Sequence, residues 1–395
     1  MTGKLRAASL PVFFALASLA ASAPGEVEWD PEIYPDNQIF PSLVIGAAAV
    51  KPGSEVFAVW TGNHIGDEQG IVGASVDGVA EGSKVDLQVR ENDFMNASRV
   101  EGTLENGESF SMHPKISWKY DKLAHVKQAL PVEVTMDLKV DGKTVGEKTV
   151  TAIVRTVNDC LFGVTEPGDE ENYTDYSLLF AAYVNEDHPW VDQTLKEALD
   201  TKIVSSFDGY QSEDPQQVLL QVFSIWNVMQ RKGLRYSSII ATAAESESVN
   251  SQHVRLFDES VKAAQANCVD GSVLLAAILR KIGLDPRLVT VPEHMFLAFS
   301  LDDKTMVGLE TTMMGDADLP AVDEKRLASF LKFDPEEKRN EESWATFEAA
   351  LDAGTRALKD ASDKFGGDDT DYQLIDIAEA RNLGILPISS DVAGR

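Results

Sequence analysis

The stretch Gln265-Ala266-Asn267-Cys268-Val269-Asp270-Gly271-Ser272 runs into seven consecutive apolar residues, Val273 to Leu279. A helix apolar on all sides has to be buried. Asn267 is a strong N-cap, and Asp270, three residues on, can reach back to the free backbone N–H groups as in a capping box. The spacing therefore predicts Cys268 as the first helical residue. A thiol there meets the positive end of the helix dipole beside amides that lack an intrahelical acceptor, which favours a thiolate and can stabilise an oxyanion.

The helix is expected to stop at Gly283 and to give way to three strand-like pieces, Arg287 to Val291, His294 to Leu301 and Thr305 to Thr312. If Asp302-Asp303-Lys304 forms a three-residue loop, Leu301 faces Thr305, and counting back pairs Phe296 with Glu310 and His294 with Thr312. His294 and Glu310 then share a face as diagonal neighbours about 7 to 8 Å apart, a gap that one side-chain hydrogen bond can close. The roles follow from the chemistry: Cys268 as nucleophile, His294 as the base that draws its proton, and Glu310 as the group that orients and charges the imidazole. The Cys268 amide is the first candidate oxyanion donor; Gln252, Gln265 and Tyr236 are candidates for a second. A competing reading pairs Cys268 with Cys160, the only other cysteine, in a structural disulfide.

These residues resemble the core of the transglutaminase-like superfamily, a branch of the papain-like cysteine enzymes. The match covers roughly Trp226 to Gly315, through Gly233-Leu234-Arg235-Tyr236, Asn267-Cys268-Val269-Asp270-Gly271, Leu279 to Arg287, Glu293-His294 and Leu309-Glu310-Thr311-Thr312. The chain departs from the family pattern at two places, with Glu310 where Asp is usual and Val269 where an aromatic commonly follows the nucleophile. The resemblance implies acyl transfer through a thioester on Cys268, from a protein or peptide amide to water or an amine. The family also includes members without catalysis, so the alternative is an inactive binding or scaffold module of the cell envelope.

The elements that must position these groups fall into two parts. From about Ile39 to Val157 the chain reads as all-β, most clearly in the alternating run Val132 to Val140, the Asp141-Gly142 turn and the run Thr149 to Val157. With further runs at Val56 to Trp60 and Val85 to Val89, this suggests an immunoglobulin-like sandwich over residues 24–160. Residues 161–175 are acidic and contain Gly and Pro, and read as a linker. By the resemblance, residues 176–395 are expected to form an α+β transglutaminase-like, papain-like domain, with a core at about 212–320 and a helical tail. Helices are predicted after His188-Pro189, from Asp214-Pro215 to Gly233, over Glu341 to Lys359, and near Tyr372 to Arg381.

Residues 1–23 read as an export signal: Lys4 and Arg6, an apolar run, then Ala21-Ser22-Ala23. The expected location is therefore periplasmic or secreted. Without that segment 33 basic and 64 acidic side chains remain, a net charge of −31, which argues against nucleic acid as a partner. No later segment offers the roughly 18 to 20 apolar residues of a membrane span, so no stable membrane insertion is expected after cleavage. The six histidines show no metal-ligand spacing and no phosphate loop is present, so neither metal nor cofactor is expected. The expected partner is a protein or peptide substrate.

Overall fold

A computed structural model describes residues 27–389 apart from 52–55, 58–59, 61–62, 106, 108, 167–168, 238–245, 247, 334–339 and the side chains of 166 and 169–172. The export signal expected at residues 1–23 lies outside the described residues. The chain is mixed α and β, with several sheets, and divides into two compact units. Of the described residues, one unit comprises those from Ser177 to Ser237 with His253–Ser389; the other comprises those from Val27 to Tyr176 with those between Ser246 and Gln252. Among the described residues no helix is long and apolar enough to cross a membrane.

The unit that carries Cys268 is built on a four-stranded antiparallel sheet in the order Met306–Leu309, His294–Ser300, Pro286–Val291, Gln373–Asp376. Val289, Phe296 and Ala298 are fully buried on one face, packed against Ala357, Leu358, Phe365 and Leu374. Helix Cys268–Lys281 packs on the two central strands, and helix Glu341–Ala361 runs beside Met306–Leu309. That second packing is a backbone contact: a Cβ on Gly354 would lie 2.5 Å from the Gly308 carbonyl carbon, so both positions need glycine for room. Helix Pro215–Arg231 is capped by Asp214, whose side chain accepts from the Gln216 N–H, and it meets the long helix through Trp226 Nε1, which donates to Thr346 Oγ1 at 2.9 Å.

Helix Pro189–Asp200 starts at His188, and both Gly233 and Gly283 follow helix ends with positive φ, as expected. Near Tyr372 to Arg381 the expectation of a single helix needs correction: Gln373–Asp376 is a strand and only Ile377–Leu383 is helical. The reason is tertiary. Gln373 to Asp376 pair with Thr290 to Arg287 and complete the sheet edge, a pairing that local periodicity does not reveal.

In the other unit a five-stranded sheet runs in the order Gln38–Ile39, Lys143–Val154, Leu130–Val140, Lys84–Val89, Ser98–Thr103. Its central hairpin turns at Asp141-Gly142, both at positive φ (51° and 75°), the two-residue turn that matches strand twist. A four-stranded sheet runs Glu28–Ile33, Val72–Asp77, Phe110–His113, His64–Gly66. The expectation of an all-β region needs two corrections. Short helices Pro41–Gly46 and Tyr120–Leu123 interrupt it, and Val56, Phe57 and Trp60 are not strand, while residues 58–59 lie outside the described residues. Residues 161–175, whose composition suggests a linker, lie mostly in paired strands Asp159–Glu166 and Asp169–Asp175, with Gly163 opposite Asp175 and Val164 opposite Thr174. Acidic composition conceals backbone pairing of this kind because the ladder uses main-chain groups alone.

Candidate active site

Cys268 is the first residue of helix Cys268–Lys281. Asn267 Oδ1 accepts from the Asp270 N–H at 2.8 Å and Asp270 Oδ2 accepts from the Asn267 N–H at 3.2 Å, a reciprocal capping box. Asp270 is buried, and it also accepts from the Arg255 N–H at 2.8 Å and from Arg255 Nη1 at 2.9 Å. The helix start is thus held from two directions, and the thiol is left half-buried at its mouth. The N–H groups of Cys268 and Val269, in the first turn, have no acceptor within the helix.

The next turn is tied to the acidic residue's segment. Ser272 Oγ donates to the Cys268 carbonyl at 2.7 Å, and Thr311 Oγ1 reaches the same oxygen at 3.4 Å. Gly271 permits this approach, since a Cβ there would sit 2.8 Å from Thr311 Oγ1 and 3.1 Å from Thr311 Cβ. Glycine's role here is room, not φ.

His294 opens its strand directly after the two-residue turn Pro292-Glu293, in which Glu293 takes φ +59° and Val291 faces His294. The register with the following strand is the expected one, with Leu297 opposite Leu309, Ser300 opposite Met306, and the Leu301 N–H bonded to Thr305 O at 2.8 Å. The strand itself is shorter than expected and ends at Leu309. Glu310 donates its N–H to Ala350 O of the long helix at 2.9 Å, and Thr311–Met313 form a 3₁₀ turn capped by Glu310. The backbone pairings of His294 with Thr312 and Phe296 with Glu310 therefore do not form.

The side chains meet all the same. His294 Nε2 and Glu310 Oε2 are 2.7 Å apart. Glu310 Oε1 accepts from Thr312 Oγ1 at 2.7 Å and from the Thr312 N–H at 3.1 Å, which fixes the carboxylate plane. With Nε2 engaged by Glu310, Nδ1 is the ring nitrogen left over, and Cys268 is the second group that acts on this imidazole. Cys268 first and Glu310 second push the His294 imidazolium up to about 10, against burial, which works the other way. Burial acts to raise the Glu310 carboxyl, but the His294 contact and the Thr312 donors outweigh it and hold the group below the usual carboxylate range. The His294 imidazole thus has the Glu310 carboxylate on one ring nitrogen and the Cys268 thiol as its other polar neighbour.

Of the candidates for a second oxyanion donor, Tyr236 lies beside the site: it pairs with Ala266 two residues before Cys268, and burial together with the nearby Cys268 and Glu310 raises its phenol. Gln265 is exposed, and Gln252 belongs to the other unit. Cys160 and Cys268 are free thiols, so the disulfide alternative is not formed; Cys160 is buried, which pushes its thiol well up. Among the described residues no group of three or more His, Cys, Asp or Glu side chains is placed to hold a metal ion.

Sequence reasoning missed Arg255, Thr312 as a donor to Glu310, and the long helix as the anchor of the Glu310 backbone. A capping rule applied to Glu310-Thr311-Thr312 could have found the second of these. Arg255 and Ala350 carry no local signal, because their contacts join distant parts of the chain. Comparison of the chain with protein-family models and with curated protein sequences gives no match.

Proposed function

We propose that the chain is an exported thiol acyl-transfer enzyme of transglutaminase-like type, with Cys268, His294 and Glu310 as its catalytic triad and an immunoglobulin-like β unit ahead of it. The observation that carries this reading is the 2.7 Å His294–Glu310 contact on an imidazole whose other partner is a thiol at a helix start. The Cys268 thiolate attacks the carbonyl carbon of a protein or peptide amide. The resulting oxyanion lies toward the first-turn amides of the helix, where one well-placed donor contributes about 10²–10³ in rate. His294 then gives its proton to the departing nitrogen as the C–N bond breaks, leaving a thioester on Cys268. Water or an amine attacks the thioester, His294 takes that nucleophile's proton, and the thiolate returns as leaving group. Glu310 keeps the imidazole oriented and charged throughout.

The test incubates the mature chain with a glutamine-bearing protein and a labelled primary amine, following amine incorporation and ammonia release, with Cys268→Ser as control. Incorporation marks a transferase, and ammonia release without it a hydrolase. Equal traces from wild type and Cys268→Ser across a range of amide donors would remove the proposal.

A further inference from the structure

We propose that Arg255 is a positioning residue of the reaction, holding the Asp270 carboxylate on the cap of the nucleophile helix and cancelling its charge there, so that the cap does not oppose ionisation of Cys268. The inference rests on the thiol acyl-transfer reading of the same site. The cap has two effects of opposite sign. Asp270 Oδ2 accepts the Asn267 N–H at 3.2 Å and so fixes the backbone that leads into Cys268. The same carboxylate is a negative charge in the turn where a thiolate has to form, and like charges disfavour ionisation. Peptide geometry puts the thiol within about 11 Å of that oxygen. Only 1% of the Asp270 side chain is exposed, so solvent screens the repulsion poorly.

Arg255 engages both carboxylate oxygens. Its N–H donates to Oδ1 at 2.8 Å and its Nη1 to Oδ2 at 2.9 Å, the oxygen that also holds Asn267. The next N–H, that of Leu256, donates to Glu259 Oε2 at 2.9 Å, so the backbone beside the guanidinium is anchored at the start of helix Phe257–Ala263. Burial pushes the Asp270 carboxyl up, and the Arg255 and Asn267 N–H donors together with the Arg255 charge work against it. A guanidinium stays protonated across the pH range in which a thiol titrates, so its cancelling charge is constant.

The charged and titratable groups on the two sides of the cap are distinct. Toward Asp270 lie Arg255 and His253; toward Cys268 lie His294 and Tyr236, with Glu310 on the imidazole. Arg255 thus acts on the thiol through Asp270.

The experiment follows iodoacetamide labelling of Cys268 across pH in the mature chain, located by peptide mass spectrometry. The proteins are wild type, Arg255→Gln, Arg255→Lys, Asp270→Asn and the double variant that joins Arg255→Gln to Asp270→Asn. In Arg255→Gln the rising limb of the profile should move up by about half to one pH unit, the effect of a unit charge roughly 10 Å away at an effective dielectric of about 30–40. The backbone N–H groups of Asn267 and position 255 remain there as donors and keep the carboxylate ionised. Asp270→Asn should move the limb down, and the double variant should return it near wild type. Arg255→Lys keeps the charge and should stay at wild type. A merely structural role moves both single variants the same way, with no return in the double. That pattern, or a profile unchanged in Arg255→Gln, overturns the assignment while leaving the thiol site intact. Chemical denaturation checks that each variant is folded; if Asp270→Asn is not, the Arg255→Gln and Arg255→Lys profiles decide alone. Wild-type labelling that rises only toward the range of an ordinary cysteine, about 8.5, and is unaffected by His294→Ala would instead remove the underlying reading and this inference with it.

Discussion

Replacing Glu310 by Gln keeps an oxygen for the Thr312 donors and nearly the same volume, and removes the charge that lies 2.7 Å from His294. A hydrogen bond to a charged group contributes about 1.5–3 kcal/mol, and a tenfold change in proton affinity corresponds to about 1.4 kcal/mol. A third of the His294 side chain is solvent-accessible, so the lower end applies. The imidazolium should then titrate roughly tenfold more readily than in wild type, near 9 instead of about 10, with the Cys268 contact holding the rest of the elevation. The assay is an NMR titration of the His294 ring in both proteins. Stability follows with a defined sign. His294 binds its proton more tightly folded than unfolded, so its contribution is fully present below its ordinary 6.5 and is lost as pH rises through about 10. Glu310 lies below its ordinary 4.5 when folded, so its contribution is present above that value and lost as pH falls through the folded one. The stability gap between wild type and Glu310→Gln should accordingly be widest between these ordinary values and shrink toward pH 10. A His294 midpoint unchanged by the substitution, or one near 6.5 in wild type, would refute the reasoning.

Three further substitutions probe the frame of the site. Asp270→Ala strips the capping box and leaves Arg255 without its buried partner, and should cost about 2–4 kcal/mol by chemical denaturation; a cost below about 1 would mean that neither interaction matters. Gly271→Ala forces a methyl against Thr311, shifting the segment that begins at Glu310 by a few tenths of an ångström. It should slow acylation by about 10- to 100-fold while unfolding changes by no more than about 1–2 kcal/mol, and unchanged acylation would contradict a role for this contact in placing Glu310. Gly354→Ala sets helix propensity, which favours alanine by about 1 kcal/mol, against backbone contact with Gly308. The contact should win, lowering the melting temperature by several degrees, because neither main chain can yield cheaply.

Local chemistry made part of this site readable from the chain alone. Asn267 and Asp270 define a helix start by their spacing, and counting residues around Asp302-Asp303-Lys304 gave the register as far as Leu309, though not the turn at Glu310 that brings its side chain to His294. The turn chemistry of Asp141-Gly142 and the caps at His188, Asp214 and Gly283 were legible for the same reason: each is settled within a few residues. What escaped depends on partners far along the chain. Ala350 bends the backbone away at Glu310, Arg287 to Thr290 recruit Gln373 to Asp376 as a strand, and Gly308 meets Gly354, and no pattern within a short window records such pairings.

The central claim is that Cys268 and His294 act as a thiolate–imidazolium pair. It is tested most directly by the rate of iodoacetamide labelling of the unreduced mature chain across pH, with the modified residue identified by peptide mass spectrometry and His294→Ala alongside. The account predicts fast labelling of Cys268 below about pH 7 that becomes slow there in the variant. Labelling that rises only toward the range of an ordinary cysteine, about 8.5, and that His294→Ala leaves unchanged, would contradict it.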